Sequence, residues 1–289
     1  MSLRRIIWLA SYPKSGNTWL RTVLANYFLG RRKAVGINEL RRFTRADVRA
    51  DFYHAAAGGQ YRGTTLEECL RVRPAALRLI AAEREGTHFV KTHTRIDRVA
   101  GVTLIPPELT AAAVYVMRNP FDVVSSFARH NGQTVDETIR VMTDPHMVTG
   151  SPAGVFEVLG RWDEHIASWV DAPGLPIHVI RYEDMHADAR RTVEGLLRFM
   201  QVTPNTAHLK RVLAATAFDK LRAQEDREGF VERPETLERF FHSGRAGGWR
   251  EALSDAQVAR LHEAFEPALR RWYPELVEET AAIAGRAGA

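Results

Sequence analysis

Short apolar runs alternate along the chain with segments of helical periodicity. Four apolar runs predict buried strands, each ending in a polar cluster, at residues 5–10, 87–90, 111–117 and 177–181. Helices are predicted after three of them, at residues 19–29, 121–130 and 189–200. Because strands that alternate with helices build parallel sheets covered on both faces, we predict one α/β domain spanning residues 1–289, with a mainly parallel central sheet flanked by helices.

Other stretches have weaker patterns. A helix is predicted over residues 156–170, because Leu159, Trp162, Ile166 and Trp169 fall on one stripe at helical spacing. Residues 222–248 contain several glycines and are predicted to form a long loop. Residues 31–86 and 131–155 show no clear periodicity.

Composition and charge narrow the class of protein. Hydrophobic residues make up 45% and charged residues 26% of the chain, which is ordinary for a globular protein. The net charge of +5 is compatible with anion binding but too small to indicate a nucleic-acid partner. The single cysteine, Cys69, excludes an intramolecular disulfide and a cysteine-based zinc cluster. Since the first apolar run is also too short for a signal peptide or a membrane segment, the sequence favours a soluble, cytoplasmic protein.

The strongest chemical signal lies in residues 11–19, Ser-Tyr-Pro-Lys-Ser-Gly-Asn-Thr-Trp, between the first strand and the first helix. A glycine-containing turn that leads into a helix presents backbone N–H groups and the positive end of the helix dipole, a combination that binds phosphate. Lys14 adds a positive charge, and Ser15 and Thr18 add hydroxyl donors. The strand-loop-helix is therefore similar to a nucleotide-hydrolase P-loop, but Lys14 precedes Gly16, so the P-loop pattern itself is not matched.

This segment resembles the 5′-phosphosulfate loop of the cytosolic-type sulfotransferases, which use 3′-phosphoadenosine 5′-phosphosulfate (PAPS). Similar segments follow along most of the chain in the family's order. They are Lys-Thr-His at 91–93, Arg-Asn-Pro at 118–120 with Ser126, Arg-Tyr-Glu-Asp at 181–184, Thr-Ala-Phe at 216–218 and the glycine-rich segment 241–250.

The resemblance implies a role for each matching residue. His93 would be the catalytic base, Lys14 would stabilise the leaving phosphate, and Lys91 would assist the transferred group. The cofactor-binding residues implied are Lys14, Ser15, Gly16, Asn17, Thr18, Trp19, Arg118, Ser126, Tyr182, Thr216, Phe218, His242, Ser243 and Gly244. No metal is implied. Taken singly, these residues also have ordinary explanations, such as a surface ion pair between Arg118 and Asp122, core packing of Trp19, or a structural histidine at His93.

The sequence departs from the family at several positions. Asn17 stands where the family often has threonine, a tolerable exchange at a helix start. The late loop reads His242-Ser243-Gly244 where the family usually has Arg-Lys-Gly, so two cations are missing and Arg245 or Arg250 would have to compensate. The family's C-terminal dimerisation pattern is absent from residues 250–260, so the oligomeric state stays open.

The function implied is transfer of a sulfo group from PAPS to a hydroxyl or amine of a small-molecule acceptor, with adenosine 3′,5′-bisphosphate (PAP) as the other product. A metal-dependent small-molecule kinase and a catalytically inactive nucleotide-binding module are the alternatives. The acceptor is not identified. Aromatic residues and methionines in the unpatterned stretches either line a partly apolar pocket or pack locally: Phe43, Phe52, Tyr53, Tyr61, Met142, Met147 and Phe156. Seven basic residues between positions 31 and 49 either attract an acidic acceptor or form a solvated face.

Overall fold

All four predicted strands form, and they lie together in one parallel sheet. The computed structural model describes residues 5–29, 34–150, 154–234 and 237–287. Within these ranges the strands are Ile6–Ser11 (β1), Arg45–Ala46 (β2), His88–Thr92 (β3), Arg98–Val99 (β4), Val102–Thr103 (β5), Thr110–Met117 (β6), Val148–Thr149 (β7), Glu157–Val158 (β8) and Ile177–Arg181 (β9). The central sheet has the order β2-β3-β1-β6-β9, and all its pairings are parallel.

The sheet is covered by helices on both faces, as the alternating pattern predicts. The helices of the described residues are Asn17–Leu29 (α1), Leu40–Phe43 (α2), Ala50–Ala56 (α3), Leu66–Ala82 (α4), Pro120–Asn131 (α5), Val135–Thr143 (α6), Trp162–Val170 (α7), Tyr182–Ala187 (α8), Ala189–Phe199 (α9), Thr206–Ala215 (α10), Phe218–Glu228 (α11), Trp249–Ala252 (α12), Asp255–Trp272 (α13) and Pro274–Ala287 (α14). A short 3-10 turn at Ile37–Glu39 precedes α2.

The central strand β1 is buried on both of its faces. Trp8 packs edge-on against Trp169 of α7, with ring centroids 6.4 Å apart, and its indole N–H donates to Thr110 Oγ1 at 2.9 Å. Leu9 points to the opposite face, into a cluster that includes Leu20 of α1. Neighbouring residues of a strand point to opposite faces, so an apolar run without alternation requires cover on both sides.

Two predicted elements were wrong. The helix predicted over residues 156–170 begins only at Trp162, because Glu157–Val158 pairs with β7 as a strand and Gly160 has a φ of +64°. Leu159 is nevertheless fully buried, so the apolar stripe predicted the burial of this residue correctly but not the length of the helix. The first part of the loop predicted over residues 222–248 is the second half of α11, a largely polar helix whose buried residues are Leu221 and Glu225.

The topology brings the candidate site residues to one edge of the sheet. In parallel strands all carboxyl ends lie on the same side, and neighbouring strands are about 4.8 Å apart. Lys14 follows β1, His93 follows β3, Arg118 follows β6 and Tyr182 follows β9. The strand order therefore places these residues in a row, with the end of β2 beyond His93 and the end of β9 beyond Arg118.

Candidate active site

A cavity of about 710 Å³ runs along the carboxyl edge of the sheet. Its wall includes the three predicted catalytic residues, Lys14, Lys91 and His93. Most of the predicted cofactor residues also line it, namely Lys14, Gly16, Asn17, Thr18, Trp19, Arg118, Ser126, Tyr182, Phe218, His242, Ser243 and Gly244. Ser15 and Thr216 are buried and do not belong to this wall. The fold thus brings residues from distant parts of the chain to a single site.

The turn between β1 and α1 has an unusual backbone that other residues hold in place. Lys14 has a φ of +68° and Gly16 a φ of +100°, both in the left-handed region. A β-carbon at Gly16 would lie 2.5 Å from Cδ2 of Tyr182, so the close approach of the ring requires glycine here. Asn17 fixes the turn from below, since its Nδ2 donates to the carbonyl of Leu9 at 2.9 Å and to Ser11 Oγ at 3.3 Å.

Lys14 lies at the centre of the positive charge in the cavity. Its Nζ is 3.4 Å from Nδ1 of His130 and 4.0 Å from the centroid of the Phe240 ring. Burial, together with the nearby positive charges of Lys91, Arg118 and Arg129, lowers the pKa of Lys14 to about 7. A cation held under such repulsion favours an anionic ligand, because the ligand's charge relieves both the repulsion and the loss of solvent.

His93 is oriented so that one ring nitrogen is free to act. Its Nδ1 lies 2.7 Å from the carbonyl oxygen of Ser11 and 3.2 Å from Ser11 Oγ. A carbonyl only accepts, so the ring proton sits on Nδ1 and Nε2 keeps its lone pair. Burial holds the pKa of His93 well below its usual value, and the positive charge of Lys91 acts in the same direction. His93 is therefore a neutral imidazole at pH 7, the form that accepts a proton.

Arg118 and Ser126 lie on the other side of Lys14. Arg118 is 8% exposed, and its guanidinium packs 4.2 Å from the ring centroid of Tyr182. The guanidinium donates to the carbonyls of Lys14 and Arg245 at 3.2 and 2.9 Å, while its buried Nε has no partner among the described residues. Its charge also lies 3.7 Å from Asp122, in line with the ion pair that the sequence allows. Since that carboxylate leaves Nε unsatisfied, Arg118 retains a donor for a ligand.

Aromatic side chains gather at the β9 end of the cavity. Trp19 meets Tyr182 edge-on with centroids 6.0 Å apart, and its indole N–H donates to the carbonyl of Thr216 at 3.1 Å. Thr216 therefore orients the tryptophan from behind the cavity wall. Phe218 packs against Gly244, where a β-carbon would lie 2.3 Å from its ring, so the late loop approaches this aromatic group as closely as only glycine allows. Trp19 and Phe218 are partly exposed, and flat rings of this kind suit a purine base.

The structure adds residues that sequence reasoning missed. Glu157 lines the cavity next to His93, and one of its carboxylate oxygens accepts from the His93 backbone N–H at 3.2 Å. Burial raises the pKa of Glu157 to about 7, although the charge of Lys91 opposes that shift. His130 and Arg129, both on α5, also line the cavity. No local pattern in the sequence marks these residues, because each reaches the site through long-range packing.

The seven apolar candidates for an acceptor pocket pack locally instead of lining this cavity. Tyr53, Tyr61 and Phe156 belong to a cluster around the buried Cys69, and Met142 belongs to the main core. The wall near β2 is more polar, and it includes Arg45 and Arg49 from the basic stretch. These two arginines form ion pairs with Glu83 and Asp51, so part of the expected excess charge is neutralised within the protein.

Two buried polar groups at or beside the turn between β1 and α1, which we call the phosphate end of the cavity, have no partner within the described parts of the chain and would suit an anionic nucleotide. Besides Arg118 Nε, the hydroxyl of Ser15 is buried without a partner among the described residues. In those same ranges, no group of three or more His, Cys, Asp or Glu side chains is arranged to hold a metal ion. No helix within them has the length and apolar character needed to cross a membrane.

Comparisons with known proteins identify the family of this chain. Cytosolic sulfotransferase 1 of Danio rerio is 22% identical over 279 residues, covering 91% of this chain and 82% of the relative. Flavonol 3-sulfotransferase of Flaveria bidentis is also 22% identical, over 282 residues and 91% and 81% of the two chains.

Two solved structures share the fold. The mouse sulfotransferase SULT7A1, complexed with PAP, has a TM-score of 0.60 at 16% identity and covers 99% of this chain and 89% of its own. A retinol dehydratase in complex with retinol and PAP has a TM-score of 0.63 at 18% identity, with 91% and 81% covered. The family model described as the sulfotransferase domain matches residues 4–273, and the chain therefore belongs to the sulfotransferase family.

Proposed function

We propose that this sulfotransferase transfers a sulfo group from PAPS to a hydroxyl or amine of a small-molecule acceptor, with Lys14 and His93 as its main catalytic residues. PAPS supplies an activated sulfo group and leaves as PAP. The observation that carries the proposal is the row formed by Arg118, Lys14 and His93 along one cavity, on the neighbouring strand ends of β6, β1 and β3. The nucleotide-binding aromatics lie at one end of this row, and the acceptor side lies at the other.

Lys14 is suited to stabilise negative charge on the leaving phosphate. Its ammonium lies in a buried, cation-rich part of the cavity, where an electrostatic interaction is stronger than in water. The α1 N-terminus directly behind the turn adds the positive end of a helix dipole. Replacing Lys14 by methionine should lower kcat by about 100-fold or more, the usual size of the effect when one such donor is lost.

His93 is suited to remove the acceptor proton. Its Nδ1 is committed to the Ser11 carbonyl, so Nε2 receives the proton from the acceptor as the new sulfur–oxygen or sulfur–nitrogen bond forms. The bond between sulfur and the bridging phosphate oxygen breaks in the same step, and its electrons remain on the phosphate. We expect His93→Ala to lower turnover about 100- to 10,000-fold while the fold persists. Lys91 lines the same side of the cavity and would orient the transferred group.

The acceptor site would lie towards β2, beyond His93. Glu157, Arg49 and the backbone around Ala46 form this side of the cavity, which makes the wall mixed in polarity. The cytosolic relative of Danio rerio supports a cytoplasmic location, and the flavonol 3-sulfotransferase supports a small-molecule acceptor. That residues 1–289 form a single domain stays a prediction.

The test is a PAPS-dependent transfer assay that follows PAP release and the mass of the acceptor. Wild-type protein should produce PAP and a sulfo-modified product from a panel of phenols, alcohols and amines, and excess chelator should not abolish the reaction. Lys14→Met and His93→Ala should lose turnover, whereas the exposed control variants Lys210→Met and His146→Ala should keep it. Phosphoryl transfer from magnesium ATP would favour a kinase, and PAP binding without any transfer would favour an inactive nucleotide-binding module.

A further inference from the structure

A second cavity of about 490 Å³ opens beside the phosphate end of the main one. The two cavities share five lining residues, Arg118, Ser126, Arg129, His242 and Ser243. Arg222 of α11 and Arg245 of the late loop line the second cavity alone. A ligand that extends from the main cavity past Arg118 therefore enters a space surrounded by arginines.

The carboxylates of this space are largely committed to the protein. Asp122 accepts from the backbone N–H groups of Gly247 and Trp249 at 2.7 and 3.0 Å, and from Asn119 Nδ2 at 3.0 Å. Glu251, the other acidic residue in the wall, is exposed. Because the wall holds four arginines against these two carboxylates, the second cavity keeps a positive excess.

Arg129 and Arg222 are available to a ligand. In the part of the chain that the structure describes, neither guanidinium forms an ion pair with a carboxylate. Arg129 lies three residues after Ser126 on α5, so both side chains share one helix face. The pKa of His242 is lowered mainly by burial, and the charges of Arg129, Arg222 and Arg239 lower it as well, so these arginines lie near the histidine.

The helix α11, which carries Arg222, is attached to the late loop through Glu225. Glu225, one turn further along α11, accepts from the backbone N–H groups of Phe240 and Phe241 at 2.7 and 2.8 Å.

Arg250, by contrast, is engaged within the protein. It is ion-paired with Glu279 and lies over the Trp249 ring, at 4.5 Å from its centroid, so it is not free to compensate for the missing cations of the late loop.

We propose that Arg129 and Arg222 bind the 3′-phosphate of the nucleotide together with Arg118 and Ser126, and thereby replace the two cations that the His242-Ser243 pair lacks. The inference rests on the proposed function, since it assumes that a 3′-phosphorylated adenosine occupies the main cavity. A phosphate dianion is well matched to guanidinium groups from two helices, because each can donate two hydrogen bonds. Arg118 already donates one N–H from each terminal nitrogen to a backbone carbonyl, so only part of its guanidinium remains for the phosphate.

The experiment compares two nucleotides that differ in the 3′-phosphate. Calorimetric affinities for PAP and for adenosine 5′-monophosphate are measured with wild type, Arg222→Gln and Arg129→Gln. Arg227→Gln is the control, since Arg227 lies on the same helix but outside both cavities and pairs with Glu228. Arg222→Gln should weaken PAP binding about tenfold and change binding of the monophosphate less than twofold. Arg129 lines both cavities, so Arg129→Gln should weaken the binding of both nucleotides, and that of PAP more than that of the monophosphate.

Each outcome distinguishes the two proposals. If wild type prefers PAP and both variants keep that preference in full, Arg129 and Arg222 do not bind the 3′-phosphate and the inference is wrong. An equal loss of affinity for both nucleotides in Arg222→Gln would also overturn the inference, because a contact with the 3′-phosphate cannot affect a ligand that lacks this group. If wild type binds neither nucleotide, the proposed function itself fails.

Discussion

Lys14 should take up a proton when the nucleotide binds. In the free protein its pKa is about 7, because burial and the charges of Lys91, Arg118 and Arg129 disfavour the ammonium form. A bound 5′-phosphate reverses the balance, since its negative charge favours the protonated lysine and raises the pKa. The affinity of the nucleotide is therefore linked to pH through Lys14.

The size of the uptake follows from the pKa of the free state. With a pKa of about 7, the lysine is about half protonated at pH 7 and about one-tenth protonated at pH 8. If binding brings it to full protonation, the uptake is about 0.5 protons at pH 7 and about 0.9 at pH 8. At pH 8 the phosphate groups of PAP are already fully ionised, so they add little to the exchange.

Titration calorimetry with PAP measures this uptake directly. Binding heats are compared at pH 8 in HEPES and Tris, whose ionisation enthalpies differ, and the dependence of heat on buffer gives the number of protons exchanged. Lys14→Met is the reference, because it keeps a side chain of similar length without a titratable group. Heats that are the same in both buffers for wild type, or an equal uptake in Lys14→Met, would refute the argument.

Three other predictions concern the same cavity. Because the pKa of Lys14 is about 7 in the folded protein and 10.5 in the unfolded chain, the unfolded chain binds more protons between these values, and Lys14 makes stability rise with pH in this range. At pH 7 the buried lysine therefore destabilises the fold, and Lys14→Met should raise the free energy of unfolding by about 1–3 kcal/mol, measured by urea denaturation without nucleotide. Gly16→Ala should cost about 1–3 kcal/mol of stability and weaken PAP binding, because the turn is left-handed and a β-carbon would meet Tyr182 at 2.5 Å, whereas Gly285→Ala, with open space around it, should do neither. In pH–rate profiles kcat/KM for PAPS should fall above pH 7 as free Lys14 loses its proton, while His93, whose pKa lies well below 6.5, should limit the rate only below pH 6.5; a profile that rises through pH 7 to 9 would contradict both assignments.

Much of the sheet could be predicted from the sequence, because the signals that define it are local. The apolar runs around Trp8 and Val114 each predict a buried strand, and the polar cluster at each strand end indicates the edge of the sheet where the candidate site lies. The turn around Lys14 was recognisable for the same reason, since its strand, glycine and helix start lie within a few residues of one another.

The parts that could not be predicted depend on contacts between distant residues. Glu157 reaches His93 across 64 positions of the chain, and Trp19 donates to Thr216 across 197. The helix α11 buries only Leu221 and the charged Glu225 among its residues, so hydrophobic periodicity did not reveal it. The burial of Ser15 likewise depends on how the turn folds over β1, which the order of residue types does not specify.

The order of strand ends has a consequence for how such an enzyme can diversify. The donor nucleotide would depend on groups behind β1, β6 and β9, whereas the acceptor would meet mainly the two-residue strand β2 and the segment that follows β3. Mutations confined to the β2 side of the cavity can therefore change which acceptor is modified without disturbing the binding of PAPS. A laboratory library restricted to residues 44–51 should yield new selectivities from proteins that still hold PAPS, and the catalytic centre would serve as the fixed boundary between the two halves.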